Sequence, residues 1–252
     1  MKNYSAPAGS TVTLNAGSES TTVSLYSREG LDLLSNLWIK AAAEHRMMYE
    51  VSWLGRPVIQ FPSDIVAVQE LLWKVRPDVV VETGVAHGGS LVLSASILEL
   101  IGAGKVIGVD IEIRPHNRAA IEAHPLAHRI ELIEGSSVAD ETMAAVRHAV
   151  GDARTVLVFL DSNHSDAHVF RELELYGALV TPGSYIVAHD GAQAWVAEIP
   201  RGKPEWEGDN PLMAIRRYLA QHPEFTSEPH WTRLGITSSP DGWLRKSDES
   251  RG

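Results

Sequence analysis

Four carboxylates stand where apolar runs of this chain give out. Glu82 follows Val79-Val80-Val81, Asp110 follows Val106-Ile107-Gly108-Val109, Asp161 follows Val156 to Leu160, and Asp190 follows Tyr185 to His189. Acids at the ends of buried strands can do chemistry, because ligands of open α/β sheets gather at the carboxyl edge. The first acid opens directly into Thr83-Gly84-Val85-Ala86-His87-Gly88-Gly89-Ser90. Gly84 permits a sharp turn, Gly88 and Gly89 clear side chains from an approaching ligand, and Ser90 begins a helix with free N–H groups. A pyrophosphate loop would carry Gly-x-Gly-x-x-Gly or a Gly-Lys-Ser/Thr end. This loop has neither, and the acid before it suits a ligand with a positive centre. S-adenosylmethionine, a sulfonium with an ammonium group, is the candidate that follows. A dinucleotide is the weaker alternative.

Asp110, roughly twenty residues beyond the glycines, can accept both ribose hydroxyls of an adenosine. Read alone, it is equally a helix cap. A third strand ends in Glu134-Gly135-Ser136-Ser137, whose serines are small and polar enough to flank an adenine. His164, just past Asp161, is the sharpest candidate for proton transfer, since imidazole titrates near working pH. His189, beside Asp190, is the second. His168 reads as a structural histidine, and His87 either touches substrate or occupies the turn. Asp161 and Asp190 can jointly hold a divalent cation such as Mg²⁺ and polarise a substrate hydroxyl. Without a metal they can flank the sulfonium or orient imidazoles. His164-Ser165-Asp166 also matches half of a non-haem iron triad, which keeps an oxygenase as a minor reading.

The elements that must position these groups alternate. Strands are predicted at 79–82, 105–110, 129–133, 155–160 and 184–188, with helices at 90–101, 116–124, 139–149 and 166–177. Continuous apolar strands fit a parallel sheet covered on both faces, with right-handed crossovers. Residues 1–24, rich in Ser, Thr, Ala and Gly, are expected to be a flexible tail or a weakly docked arm. Residues 25–78 read as a helical and aromatic segment packed on the core. Within them, Leu31, Leu34, Leu37, Trp38, Ala41 and Ala42 recur at helical spacing. The Met- and aromatic-rich stretch 38–61 suits core or oligomer contacts, so a homo-oligomer is expected. Ser63 or Asp64 is predicted to cap a helix Ile65–Lys74. The core domain runs over 79–246, and 247–252 form a tail. Late strand-like pieces at Trp231–Thr237 and Gly242–Arg245, joined at Pro240-Asp241-Gly242, predict a mixed sheet edge.

Bulk properties narrow the classes. With 252 residues and 44% hydrophobic content, the chain can bury a full α/β core. A net charge of −10 excludes a nucleic-acid polyanion as partner and disfavours an anionic membrane. The absence of cysteine excludes disulfides, thiolate zinc sites and a cysteine nucleophile. No apolar run reaches transmembrane length and the N-terminus lacks a signal-peptide layout, so a cytoplasmic protein is expected.

Taken in order, the motifs resemble the cephalosporin hydroxylase / rhamnosyl O-methyltransferase family of S-adenosylmethionine-dependent class I methyltransferases. They run from Trp53-Leu54-Gly55-Arg56-Pro57 and Pro62-Ser63-Asp64, through Arg76-Pro77-Asp78 and the Glu82–Ser90 loop, to Leu160-Asp161-Ser162-Asn163-His164. Pro182-Gly183-Ser184-Tyr185, Gly208-Asp209-Asn210-Pro211 and Pro240-Asp241-Gly242-Trp243-Leu244 complete the set, over about 50–246. The resemblance implies a Rossmann-like α/β fold with a mixed seven-stranded sheet and helices on both faces. It implies a donor site at Glu82, Gly84, Ala86, His87, Gly88, Gly89, Ser90, Asp110, Ile111, Ser136, Ser137 and Asp161. It also implies a divalent cation at Asp161 and Asp190 and a small hydroxylated acceptor such as a deoxyhexose; loss of the hydroxyl proton assigns His164 or His189 as base, with Asp161 and Asp190 as orienters or metal ligands. Some relatives carry two adjacent acids after the fifth strand, where this chain has His189-Asp190. A non-catalytic binding subunit of the same fold is the remaining alternative.

Overall fold

Residues 7–248 are described by the structure, a computed structural model. The chain enters through an antiparallel hairpin of β1 (Thr11–Ala16) and β2 (Glu19–Ser24). This corrects the flexible tail expected over 1–24, of which residues 1–6 lie outside the described residues. Alternating Thr and Val side chains favour a strand, and Gly17 takes the left-handed φ of 60° that a tight hairpin turn needs. Next comes α1 (Arg28–Glu44), capped by Ser27, whose hydroxyl accepts the Gly30 N–H at 3.0 Å. Two-residue strands β3 (Ser52–Trp53) and β4 (Arg56–Pro57) pair with each other. Then α2 (Pro62–Val75) starts with proline in its first turn, where no N–H is needed. Neither Ser63 nor Asp64 caps it. Both side chains reach instead to 236–238, near the far end of the chain.

The alternation that follows is β5 (Val79–Thr83), α3 (Gly89–Ile101), β6 (Lys105–Asp110), α4 (Pro115–Glu122), β7 (Ile130–Glu134) and α5 (Asp140–Val150). It continues with β8 (Val156–Leu160), α6 (Asp166–Gly177), β9 (Tyr185–Ala188), α7 (Pro211–Gln221), β10 (Phe225–Ser227) and β11 (Trp243–Lys246). The seven-stranded sheet has the order β10-β11-β9-β8-β5-β6-β7. From β9 to β7 neighbours are parallel, and β11 joins β9 antiparallel, with β10 antiparallel to β11. The mixed edge is thus present, but its outer strand is Phe225–Ser227 and not Trp231–Thr237. Trp231 lies in a short 3₁₀ turn started by Pro229, stacked on Trp243 with ring centroids 5.8 Å apart.

Side chains alternate across the sheet as the strand period demands. Val80, Val106, Leu157 and Phe159 pack beneath α2 and α3, while Val79, Val81, Ile107 and Val158 pack beneath α5, α6 and α7. Each fully buried aliphatic contributes about 1.5–3 kcal/mol, so two complete faces hold the central strands rigid. A smaller cluster of Ile39, Ala42, Phe61, Ala192 and Val196 ties α1 to the segment after β9. Among the described residues, no helix is long and apolar enough to cross a membrane.

Candidate active site

Glu82 and Asp110 meet at one edge of the sheet, since β5 and β6 are parallel neighbours with Glu82 opposite Gly108. Glu82 is buried and accepts a hydrogen bond from the Ser90 hydroxyl at the start of α3. Burial pushes its carboxyl up to about 7, against the lowering effect of Ser90. Asp110 accepts the Val85 N–H at 2.8 Å and the Ala86 N–H at 3.3 Å on one oxygen, and the Glu112 N–H at 3.2 Å on the other. The acid therefore clamps the turn as well as facing the edge where a ribose would lie. Ile111, 74% exposed, follows it as an unburied apolar side chain.

The glycines have a different reason from the one the sequence suggests. A Cβ on Gly84, at φ 90°, would meet the Asp161 carbonyl oxygen at 1.9 Å. On Gly88 it would meet Ile121, and on Gly89 the Pro57 carbonyl oxygen at 2.0 Å. These residues let the turn pack against β8's end, α4 and β4, so protein, not an incoming ligand, occupies the space. Ala86 adopts a left-handed φ of 43°, and its carbonyl accepts Asn117 Nδ2 at 2.8 Å. Arg56 donates from Nε to the His87 carbonyl at 2.9 Å and from its terminal nitrogen to Asn117. Arg56 stood inside a recognised motif, but nothing in the sequence joined Asn117 to it.

At the adenine side, Ser137 is buried; its hydroxyl lies 3.1 Å from His168 Nε2 and its carbonyl accepts Tyr176 Oη at 3.0 Å. Ser136 is half-buried in the same turn. A cradle of left-handed turns, the clamp acid and Glu82 suits a cationic adenosyl donor.

Asp161, His164 and Asp190 converge, their ligating atoms within 4.8 Å of one another. His164 Nδ1 lies 2.8 Å from Asp190 Oδ2. Burial opposes charge on His164, but Asp190 beside it, with Asp161 and Glu172, pushes its pKa up to about 9. Burial and the Asp190 charge hold Asp161 well above the usual carboxylate range. Burial works the same way on Asp190, yet His164 outweighs it and holds that carboxyl below its ordinary value. Two carboxylates in mutual repulsion with an imidazole at hand fit the donor set of a divalent cation. Asp166 does not join them: it pairs with Arg217 at 3.1 Å, which leaves the His164-Ser165-Asp166 iron reading without a convergent pair.

His189 is corrected. It is buried on the opposite side, Nδ1 2.9 Å from Ser239 Oγ and stacked on Phe159. Burial pulls its pKa down to about 4, Asp190 opposing, so it is a neutral support behind Asp190 and not a base. β9 ends at Ala188 and Asp190 turns at a left-handed φ of 58°, which separates its side chain from that of His189.

In front of His164 and Asp190 opens a cavity of about 400 Å³ between α1, the strand-poor stretch before α2 and the segment after β9. Its walls are mostly apolar, with Ile39, Phe61, Val196 and Trp206, while Gln60 and Ser238 add polar atoms. Gln60 was not singled out in the sequence.

The family model "Rhamnosyl O-methyltransferase/CmcI" matches residues 45–247. The rhamnosyl O-methyltransferase of Mycobacterium leprae (strain TN) is 30% identical over 197 residues, covering 77% of this chain and 82% of that one. Its counterpart in Mycobacterium tuberculosis (strain ATCC 25618 / H37Rv) is 29% identical over 202 residues, covering 77% and 78%. Among solved structures, an apo form of CmcI and a form with Mg and SAM each align with a TM-score of 0.57 at 20% identity, covering 79% of this chain and 77% of theirs.

Proposed function

The chain belongs to the rhamnosyl O-methyltransferase/CmcI family, and from that premise we propose that it moves the methyl group of S-adenosylmethionine to a hydroxyl of a sugar. The acceptor is a rhamnose-like deoxyhexose on a glycolipid, polysaccharide or antibiotic. The observation that carries the reading is that His164 and Asp190, 2.8 Å apart, line the cavity at the sheet edge where β5 also ends.

Glu82, the turn from Gly84 to Ser90, Asp110, Ile111, Ser136 and Ser137 bind the donor. The donor supplies a methyl carbon activated by positive sulfur, and the acceptor oxygen attacks it in line as the carbon–sulfur bond breaks. Catalysis is then largely orientation of the hydroxyl against that carbon. His164, held in place by Asp190, carries the hydroxyl proton away in its neutral form, whose share grows as pH rises towards about 9. Asp161 and Asp190 would hold a divalent cation, which supplies Lewis acidity towards the hydroxyl. CmcI, whose structure contains Mg and SAM, lends support. The stripe of Leu31, Leu34 and Trp38, 47, 38 and 36% exposed along one face of α1, favours a homo-oligomer, which sedimentation checks.

Titration calorimetry with S-adenosylmethionine, beside a methyl-transfer assay on methyl rhamnoside, tests the proposal. Wild type is expected to bind the donor and to methylate the sugar. Asp110→Ala is expected to weaken donor binding at least tenfold. Absence of binding by wild type would overturn it.

A further inference from the structure

Gln60 stands out among the buried polar groups lining the cavity. It is only 6% exposed, on the extended approach to α2 between Ile59 and Phe61. Its side chain borders the cavity, and its Oε1 is enclosed with no hydrogen-bond partner. Oxygen and nitrogen of an amide differ only by a half-turn of the terminal bond, so either can sit at the dry position. In both arrangements one end is unpaired in the free protein. Ile39, Phe61 and Val196 form the apolar part of the wall, and the polar lining residues Arg46, Gln193 and Arg201 leave Oε1 without a partner.

A buried amide without a partner is unfavourable, and such groups persist where a ligand completes them. The cavity already has one hydroxyl-handling pair, His164 and Asp190, at its floor. An amide donates and accepts, as a hydroxyl does, so either turn of the Gln60 amide can pair with one. We propose that Gln60 is a specificity-determining residue that hydrogen-bonds a second hydroxyl of the acceptor while the first reacts at His164. The cavity thereby selects a ring bearing at least two hydroxyls over a single alcohol. This rests on the sugar-methylation reading above and adds to it the group that sets which acceptors react.

Three measurements on wild type and Gln60→Leu decide the matter. Wild type is assayed on methyl rhamnoside and on its monodeoxy analogues that keep the methylated hydroxyl. One analogue is expected to fall by at least about a hundredfold in kcat/KM, because its absence of a hydroxyl leaves the amide unpaired. Gln60→Leu is expected to lose about a hundredfold on the parent sugar and little on that analogue, so that the discrimination collapses. Donor affinity by calorimetry should stay within twofold. In the absence of acceptor, the leucine variant should melt no lower than wild type, since it removes an unpaired group from an apolar wall. Equal losses on parent and analogue, or a lower melting temperature, would overturn the assignment and make Gln60 a wall support. No turnover of any rhamnoside by wild type would instead sink the sugar reading itself, and the second-hydroxyl contact with it.

Discussion

Asp161 and Asp190 are the same chemical group, yet their neighbours shift them in opposite directions. Both are buried by the strand ends, which favours the neutral acid. Asp190 alone has the His164 imidazole at 2.8 Å, so its carboxyl is held below its ordinary value while that of Asp161 is held well above it. Asp190 also sits at a left-handed φ of 58°, a conformation that asparagine tolerates equally well. Asp190→Asn therefore tests the charge without disturbing the backbone. Its kcat is expected to fall by about 10²–10⁴, the usual worth of an oriented acid–base group. Donor affinity should be unchanged by calorimetry, and an unaltered kcat would exclude the pair from proton transfer. The carboxylates were legible in the sequence because each ends an apolar run. His189 was misread, because which neighbour of Asp190 faces the cavity depends on where β9 stops. Gln60 was illegible altogether: a lone glutamine before Phe61-Pro62 carries no sign that its amide will be left without a partner.

The turn between β5 and α3 acts as a unit, with Asp110 on one side, Arg56 and Asn117 on another and Asp161 behind. Gly84 is where the packing is tightest. An alanine there would place its Cβ 1.9 Å from the Asp161 carbonyl oxygen and hold an L residue at φ 90°. Left-handed strain and forced repacking together cost about 2–5 kcal/mol. Gly84→Ala should lose that much in urea melts and should also displace Asp161. Gly208 has ordinary φ and nothing within 4 Å of an added Cβ, so Gly208→Ala should stay within about 0.5 kcal/mol. Equal stabilities for the two variants would show that the turn can relax. At this scale the alternating strands and helices from β5 to β9 were legible, since their periodicity is imposed by two buried faces. The hairpin before α1 was not, because its short Thr/Val alternation is solvent-exposed and resembles a polar tail in composition. The outer strand at the mixed edge was misplaced because Trp231 is apolar for packing on Trp243, not for pairing in the sheet.

Across the whole molecule, one buried acid fastens the beginning of the fold to its end. Asp64, 1% exposed in the first turn of α2, accepts the Thr237 hydroxyl at 2.6 Å and the Ser238 N–H at 2.8 Å. Burial outweighs these bonds and raises its pKa from 3.8 to about 6. The folded state therefore binds more protons than the unfolded state between those values, and stability contributed by Asp64 is lost as pH rises through about 6. Two pKa units correspond to about 3 kcal/mol, a large share of the total for a domain of this kind. Other groups pull on the same curve. Glu82, raised from 4.5 to about 7, acts in the same direction, while His189, lowered from 6.5 to about 4, adds stability as pH climbs. Comparison with Asp64→Asn cancels those contributions, because they are present in both proteins. The asparagine can keep its oxygen on the Ser238 N–H and donate from its amide nitrogen to the Thr237 hydroxyl, a change that shifts its stability equally at every pH. The difference in unfolding free energy, wild type minus variant, is thus expected to shrink by about 2 kcal/mol between pH 4 and pH 6.5 in urea melts. A difference that stays flat over that range would mean that Asp64 titrates normally and that its pairing with 237–238 is open to water.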